Sequence, residues 1–324
     1  MTDDPQVPWT DEQWARVNQV IQEEASRARV AATFLSLHGP LPGDTDFVRA
    51  QIIPDDAPLR IQDRDTIQLA TLQVRVEVRS AQAADPEMAS VLALFRRAAM
   101  VLARLEDAVV FRGLVRAEAG TTGFVPQGGV GGVPLIWEIH GGQETPGLWA
   151  APPPANWPWD QFPAPQPWQF IEVGPAGEDL VRAVSQAIGE LEGHGHFGPF
   201  AAALGNGLFL TAQTPDPGSL VLPQDRIAPF LGGGSLLRSS TLDACNGFSG
   251  VVVALGGNPV EFVVASDISF QFLQVTQRPT LLFRVREKIA LRIKERGAVI
   301  SLYVPEGEHR NDEPTRGRQR KQRD

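Results

Sequence analysis

The sequence predicts an α+β fold. Three segments carry apolar residues at the spacing of a helix, over about 11–29, 85–116 and 179–191. Two others, 72–78 and 283–293, alternate apolar with polar residues, which is typical of strands with one buried face. Because the helices are amphipathic and the strands two-faced, each needs a partner layer, and the chain should form a packed core.

Composition excludes several classes of protein. The 324 residues are 43% hydrophobic and 21% charged, as in an ordinary globular protein. A formal charge of −9 argues against nucleic-acid binding by the chain as a whole, since phosphate contacts need a basic surface. The single cysteine excludes an intrachain disulfide and any multi-cysteine metal site. With no signal-peptide pattern and no long apolar stretch, we expect a cytoplasmic protein without a membrane span.

The N-terminal helix has a clear start signal. Thr10 and Gln13 form a capping-box pattern, and Trp14, Val17 and Ile21 follow at helical spacing. Further on, the polar run 54–65 and the strand after it predict a long charged arm. Two strands alone are marginally stable, so we expect this arm to lie on something else, for example another subunit.

The segment 85–116 predicts an unusually long helix. Asp85 and Pro86 suit its first turn, and about 30 residues is well above the mean helix length of about 11–12. We expect it to act as an architectural spine. Glu106 and Asp107 lie on it, and adjacent helical residues point in different directions. We therefore expect a solvated or salt-bridged helix face there, not an acid/base pair.

The segment 120–175 is rich in proline and glycine yet holds five of the seven tryptophans. Pure linkers lack tryptophan, so part of this insert should pack on a surface. After it, 251–255 and 260–265 predict a hairpin around the turn 256–259. The strand 283–293 places Glu287 on its apolar face, and a second strand follows at 299–304.

No catalytic or metal-binding constellation is present. His194 and His196 match no metal motif, and the glycine run 128–132 lacks the frame of a phosphate loop. Nothing marks a base for Cys245 or a serine nucleophile. We therefore expect no metal, no cofactor and no enzymatic activity.

Six stretches, in matching order, resemble the encapsulins of the bacterial linocin-like group (family 1). They are 10–14, 34–40, 106–113, 198–200, 264–270 and 282–293. The first is similar to the S/T-x-x-x-W opening of that family's N-terminal helix, and the third to the E-D-x-x-I-F-x-G end of its spine helix. The likeness covers most of the chain outside the insert and the tail after Tyr303.

The resemblance implies the tailed-phage major-capsid fold of the HK ninety-seven type. Its parts would be the N-terminal helix and lumen-facing strand (1–46), an E-loop arm (47–84), the P-domain spine helix (85–119), the insert (120–177), an A-domain (178–258), C-terminal P-domain strands (259–304) and a disordered basic tail (305–324). It also implies self-assembly into an icosahedral nanocompartment. Such shells enclose a cargo enzyme, for example a ferritin-like protein or a peroxidase, through a short targeting peptide.

Two sites follow from the resemblance. The cargo-peptide groove would comprise Trp14, Val17, Ile21, Phe34, Leu35, Leu37, Ile289 and Leu291. The loop at the five-fold pore would comprise Gly218, Ser219, Leu220, Val221 and Leu222. The groove residues have an alternative interpretation as ordinary core residues.

The chain departs from the family in two places. Ala32 and Thr33 stand where members commonly carry Arg or Lys, which removes a polar anchor for the cargo peptide. The segment 80–84 lacks the tryptophan that holds a flavin in some members, so we expect no flavin. An alternative is a phage or prophage major capsid protein of the same fold. Four acidic residues against three arginines on the N-terminal helix argue against a lumen filled with DNA.

Overall fold

The computed structural model describes residues 7–54, 59–117, 123–130, 136–149, 169–245, 248–276 and 280–305. Its helices are α1 (Asp11–Ala28), α2 (Ser80–Ala83), α3 (Ala89–Arg112), α4 (Gly177–Gly193), α5 (Asn206–Gln213) and α6 (Pro223–Ile227). Its strands are β1 (Ser36–His38), β2 (Phe47–Arg49), β3 (Thr66–Gln68), β4 (Ala70–Arg79), β5 (Gly113–Arg116), β6 (Phe124–Pro126), β7 (Trp137–Gly141), β8 (Thr145–Pro146), β9 (Gln169–Glu172), β10 (Phe200–Leu204), β11 (Leu236–Arg238), β12 (Ser249–Ala254), β13 (Val260–Val275), β14 (Thr280–Ile293) and β15 (Val299–Tyr303). The mixture confirms the α+β class.

The first sheet has the strand order β1-β13-β14-β4-β7. Its central strand, β14, is antiparallel to both β13 and β4, and β1 joins parallel to β13 at one edge. The apolar residues of β4 and β14, among them Val74, Phe283 and Val285, are buried in one cluster with α1 and α3. The alternation seen in the sequence therefore reflects one face under helices and one polar face.

Helix α1 begins where the sequence predicts. The Thr10 side chain accepts a hydrogen bond from the Gln13 backbone, and the Gln13 side chain accepts one from the Thr10 backbone. The rings of Trp9 and Phe283 stack with centroids 4.9 Å apart, and those of Trp14 and Phe270 with centroids 5.2 Å apart. These contacts make the N-terminal helix part of the core of the subunit.

The spine helix is shorter than predicted. Asp85 does not cap it; its carboxylate accepts from the Glu87 backbone, and α3 begins at Ala89. The helix ends at Arg112 because Gly113 adopts φ 75°, and a Cβ there would lie 2.0 Å from the carbonyl oxygen of Thr145. The chain then continues as β5. At a rise of 1.5 Å per residue, the 24 residues of α3 span about 36 Å.

The predicted arm 47–84 is divided in two. Its second part, β4, lies inside the first sheet, where it pairs with β14 over ten residues and with β7 over five. Only 47–68 forms a hairpin, from β2 and β3. The prediction failed here because a strand with one polar face looks the same in an arm and in a sheet covered by helices on one side.

The second sheet has the order β11-β10-β12-β15-β9 and packs against α4. It corrects two predictions. Strand β15 belongs to this sheet and not with the P-domain strands 259–304, since it pairs with β12 and β9. The predicted hairpin 251–265 is wrong, because β12 and β13 belong to different sheets and the turn between them connects the two.

The insert contributes to both sheets through its described parts. Strand β7 adds an edge to the first sheet, and the Trp149 indole donates to the carbonyl oxygen of Leu302 in the second (3.2 Å). Part of the insert thus packs as predicted. Trp157, Trp159, Trp168 and the predicted basic tail from 306 onward lie outside the described residues.

Candidate functional site

Most residues of the predicted cargo-peptide groove face the interior of the subunit. Val17, Ile21, Leu35, Ile289 and Leu291 are buried in the cluster that joins α1, α3 and the first sheet. The structure corrects this part of the prediction: their side chains do not line an open groove. Apolar residues at helical or strand spacing occur both in cores and in grooves, and here they form part of the core.

The remaining groove residues reach the surface to different extents. Trp14 and Phe34 are half-buried, and Leu37 is 60% exposed. Leu37 is the middle residue of β1, an edge strand of the first sheet. A sheet edge with an exposed apolar side chain can accept an extended peptide as an additional strand.

The predicted pore loop is an exposed turn between α5 and α6. Leu220 is 100% exposed, and Val221 is also exposed. The Ser219 hydroxyl accepts a hydrogen bond from the Val221 backbone at 3.2 Å, which holds the tip as a compact turn. The loop therefore offers an apolar tip that the subunit itself leaves uncovered.

The polar face of the first sheet carries more basic than acidic residues, although Arg75 forms an ion pair with Glu138 of β7 at 3.0 Å and Glu77 is exposed on the same face. Arg75 on β4 lies directly opposite Arg284 on β14, and Arg286 follows two residues along the same face. We call these three residues the basic sheet face. Like charges opposite each other on neighbouring strands are destabilising. Arg284 donates to Gln271 at 2.9 Å, but its buried Nε has no hydrogen-bond partner among the described residues.

The hairpin 47–68 has the opposite character. Its segment 54–65 holds four aspartates and two arginines. Leu59 is 87% exposed and Ile61 62% exposed, while Val48 and Ile67 pack on the sheet near its base. The hairpin thus has an anchored base and uncovered apolar residues, and the sequence of its segment 54–65 has an excess of acidic residues.

Glu106 and Asp107 are fully buried, which corrects the expectation of a solvated helix face. Asp107 accepts hydrogen bonds from the backbone of Val30 (3.0 Å) and Ala31 (2.8 Å). Glu106 forms an ion pair with Arg29 at 2.6 Å, so the salt-bridged alternative holds for this residue. The two side chains contact different partners, as expected for adjacent helical positions.

The two candidate metal-binding histidines have separate partners. His194 Nδ1 donates to the Glu190 carbonyl oxygen at 2.7 Å, while His196 Nδ1 lies 3.9 Å from a Glu295 oxygen. Within the described ranges, no group of three or more His, Cys, Asp or Glu side chains is placed to hold a metal ion. Nor does any helix in the described part of the chain have the length and hydropathy to cross a bilayer.

Comparison with known sequences gives a consistent result. A family model described as encapsulating protein for peroxidase (Linocin_M18) matches residues 1–136 and 167–290. The type 1 encapsulin shell protein EncA of Myxococcus xanthus (strain DK1622) is 26% identical over 316 residues, which cover 91% of this chain and 93% of that protein. The interval between the two matched ranges lies in the insert.

Solved structures share the fold at low identity. A virus-like particle from Pyrococcus furiosus has a TM-score of 0.62 and 14% identity, covering 90% of this chain and 99% of that chain. The SrpI encapsulin of Synechococcus elongatus PCC 7942 has a TM-score of 0.51 and 11% identity, and the match covers 94% of this chain and 92% of that chain. The capsid of Myoviridae phage XM1 also has a TM-score of 0.51, with 10% identity, and the match covers 85% of this chain and 91% of that chain. These likenesses confirm the predicted capsid fold.

Proposed function

The chain belongs to the Linocin_M18 family of encapsulating proteins, and from that premise we propose that its copies close into an icosahedral nanocompartment that captures a cargo enzyme through a short targeting peptide. It is an encapsulin shell protein of capsid fold, and its family consists of shell proteins rather than enzymes. The observation that carries the proposal is the family match over the two ranges that hold α1, α3 and most of both sheets. The cargo would be a redox enzyme such as a peroxidase or a ferritin-like protein, in the cytoplasm.

Electron microscopy of the protein expressed alone tests the assembly. We expect uniform closed shells, and an ultraviolet absorbance ratio on the same fraction that shows no nucleic acid. Closed shells filled with nucleic acid would favour the alternative of a phage or prophage major capsid protein. Monomers or small oligomers only would contradict self-assembly.

The uncovered tip at Leu220 and Val221 supports a role at a symmetry axis, where copies of the loop would surround a pore. Leu220 and Val221 are adjacent, so the tip presents two neighbouring exposed apolar side chains in the isolated subunit. Around an axis, the same residues would contact their copies and form an apolar constriction. Gly218, Ser219 and Leu222 would complete the turn that carries them.

The sheet edge at β1 is the surface that we propose for the cargo peptide. A targeting peptide would add as a strand beside Ser36–His38 and place an apolar side chain against Leu37, near the half-buried Phe34. Trp14, Val17, Ile21, Leu35, Ile289 and Leu291 would support this surface from within the core. Because several of them are buried, deleting the segment 1–29 would disturb folding as well as cargo binding.

A single surface substitution therefore gives a sharper test. Leu37→Asp should leave shells intact and reduce cargo loading several-fold, since one buried apolar anchor contributes on the order of 1–3 kcal/mol. Loading is measured as the ratio of protease-protected protein to shell protein in particles purified from the native host. Leu210→Asp, on the exposed side of α5, is the matched control. Equal loading in the two variants would reject this placement of the groove.

A further inference from the structure

Arg29, which follows the last turn of α1, is surrounded by carboxylates from three other elements. Its Nε lies 2.6 Å from Glu106 of α3, and its Nη2 lies 2.6 Å from Glu287 of β14. Its Nη1 lies 3.2 Å from Asp267 of β13. Asp107, beside Glu106, accepts from the backbone that immediately follows Arg29. The cluster thus joins the end of the N-terminal helix to the spine helix and the sheet.

The charges in this cluster do not balance. Glu106, Asp107 and Glu287 are buried, and Asp267 is largely exposed. Among the residues that the structure describes, Arg29 is the cation that faces them. If all three buried carboxyl groups were ionised, one positive charge would oppose three negative charges away from water. Unpaired buried charge is strongly unfavourable, and such groups bind protons instead.

The directions of the pKa shifts agree with this geometry. Burial raises the pKa of Glu106 well above its ordinary value. The negative charge of Glu287 raises this pKa further, whereas the positive charge of Arg29 lowers it. Burial also raises the pKa of Glu287, although Arg29 opposes the shift. For Asp107, burial raises the pKa to about 7 in spite of its backbone hydrogen bonds. An acid with a raised pKa in the folded state stabilises that state at low pH, and this contribution is lost as pH rises towards the raised value.

We propose that this cluster is a proton-dependent latch that holds the C-terminal end of α1 on α3 and the first sheet, and that it loosens as pH rises. Opening the latch exposes the carboxylates to water, where they release the protons that the closed cluster retains. The rest of α1 stays attached through Val17 and Ile21, which are buried, and through the hydrogen bond from Gln22 to the carbonyl oxygen of Ile268 (2.6 Å). The change is therefore local, and it does not depend on the proposed capture of cargo.

Hydrogen–deuterium exchange on the intact full-length protein tests the latch. The protection factors of the backbone amides at positions 25–31 are measured from pH 5.5 to pH 9, each relative to the intrinsic exchange rate at the same pH. In the wild type, protection should fall by up to about tenfold per pH unit for each proton that opening releases. Glu106→Gln removes one such carboxylate and keeps its shape, so its slope should be clearly smaller.

The matched control is Glu178→Gln. Glu178 is an exposed residue of α4, beside the second sheet, and its carboxylate pairs with Arg226 of α6. It should keep the wild-type slope. A wild-type protection factor that does not change with pH would overturn the proposal, as would equal slopes in the wild type and Glu106→Gln. If Glu106→Gln does not fold, the protection factors of Glu287→Gln are measured in the same way. A pH dependence equal to that of the wild type would then overturn the proposal.

Discussion

Replacing Arg29 by methionine should destabilise the folded subunit by about 3–5 kcal/mol at neutral pH, because the substitution leaves buried carboxylates without their cation. Methionine keeps the apolar stem of the side chain, so the loss of charge dominates over the loss of packing. Arg29 contacts Glu106 and Glu287, both buried, at 2.6 Å each. The effect should far exceed that of an exposed ion pair, which is worth about 0–1 kcal/mol.

The destabilisation should depend on pH in a defined direction. The folded-state pKa values of Glu106, Asp107 and Glu287 are raised, and removing the cation raises them further. Near pH 5 more of these groups are protonated and neutral, so the variant should lose less stability than at pH 8. Thermal or denaturant unfolding at both pH values measures the difference.

Arg27→Met is the matched control, since Arg27 lies in the last turn of the same helix and is exposed, 4.0 Å from Glu24. The free energy of unfolding of Arg27→Met should differ from that of the wild type by no more than about 0.5 kcal/mol. If Arg29→Met and Arg27→Met behaved alike, the buried cluster would not have the energetic role assigned to it.

Sequence patterns that depend on near neighbours predicted the structure well. The capping box at Thr10 and Gln13, the helical face of α4 and the alternation of β14 each result from contacts within a few residues along the chain. Glu287 stood out because it interrupts an apolar face, and the structure places it in the buried cluster. A charged residue at a core position was a signal that a partner lies nearby.

The sequence did not identify that partner. Arg29 and Glu287 are far apart in the chain, and only the packing of α1 on the sheet brings them together. For the same reason the predicted pairing of β12 and β13 was wrong. The turn signal at 256–259 suggested a hairpin, but the partners of the two strands lie in other parts of the chain. The groove residues failed similarly, because apolar spacing marks a buried face without saying what covers it.

Deleting residues 54–65 and closing the hairpin with a Gly-Ser-Gly linker should give subunits that fold but do not form shells. The base of the hairpin packs on the sheet through Val48 and Ile67, which the deletion retains. The deleted tip carries Leu59 and Ile61, both exposed in the subunit. We expect that a neighbouring subunit covers them in the shell, since exposed apolar residues on a projecting loop indicate an interaction surface.

Sedimentation velocity and electron microscopy measure the outcome of the deletion. A single slow species with the circular dichroism of the wild type would show folded, unassembled subunits. Intact shells after the deletion would reject the role of the hairpin between subunits.

Charge complementarity identifies the surface on which the tip should lie. The basic sheet face holds Arg284, Arg286 and Arg75, the last of which pairs with Glu138, and the sequence 54–65 has four aspartates against two arginines. Complementary charges favour the correct contact and disfavour others. Arg286→Glu should therefore weaken assembly, whereas Arg182→Glu, an exposed arginine on α4, should leave it unchanged.

A charge exchange makes this test specific to the contact. If the tip of one subunit lies on the basic sheet face of the next, combining Arg286→Glu with Asp55→Arg and Asp56→Arg should restore shells that Arg286→Glu alone has lost. Arg286→Glu lowers the net charge by two, and the two Asp→Arg changes raise it by four. The control therefore combines Arg286→Glu with Glu87→Arg and Glu192→Arg, two exposed positions outside the hairpin, and it should not recover shells if the contact itself matters. Because recovery requires the tip and the sheet face to meet, shells that remain absent in the triple variant would place the acidic tip on a different surface.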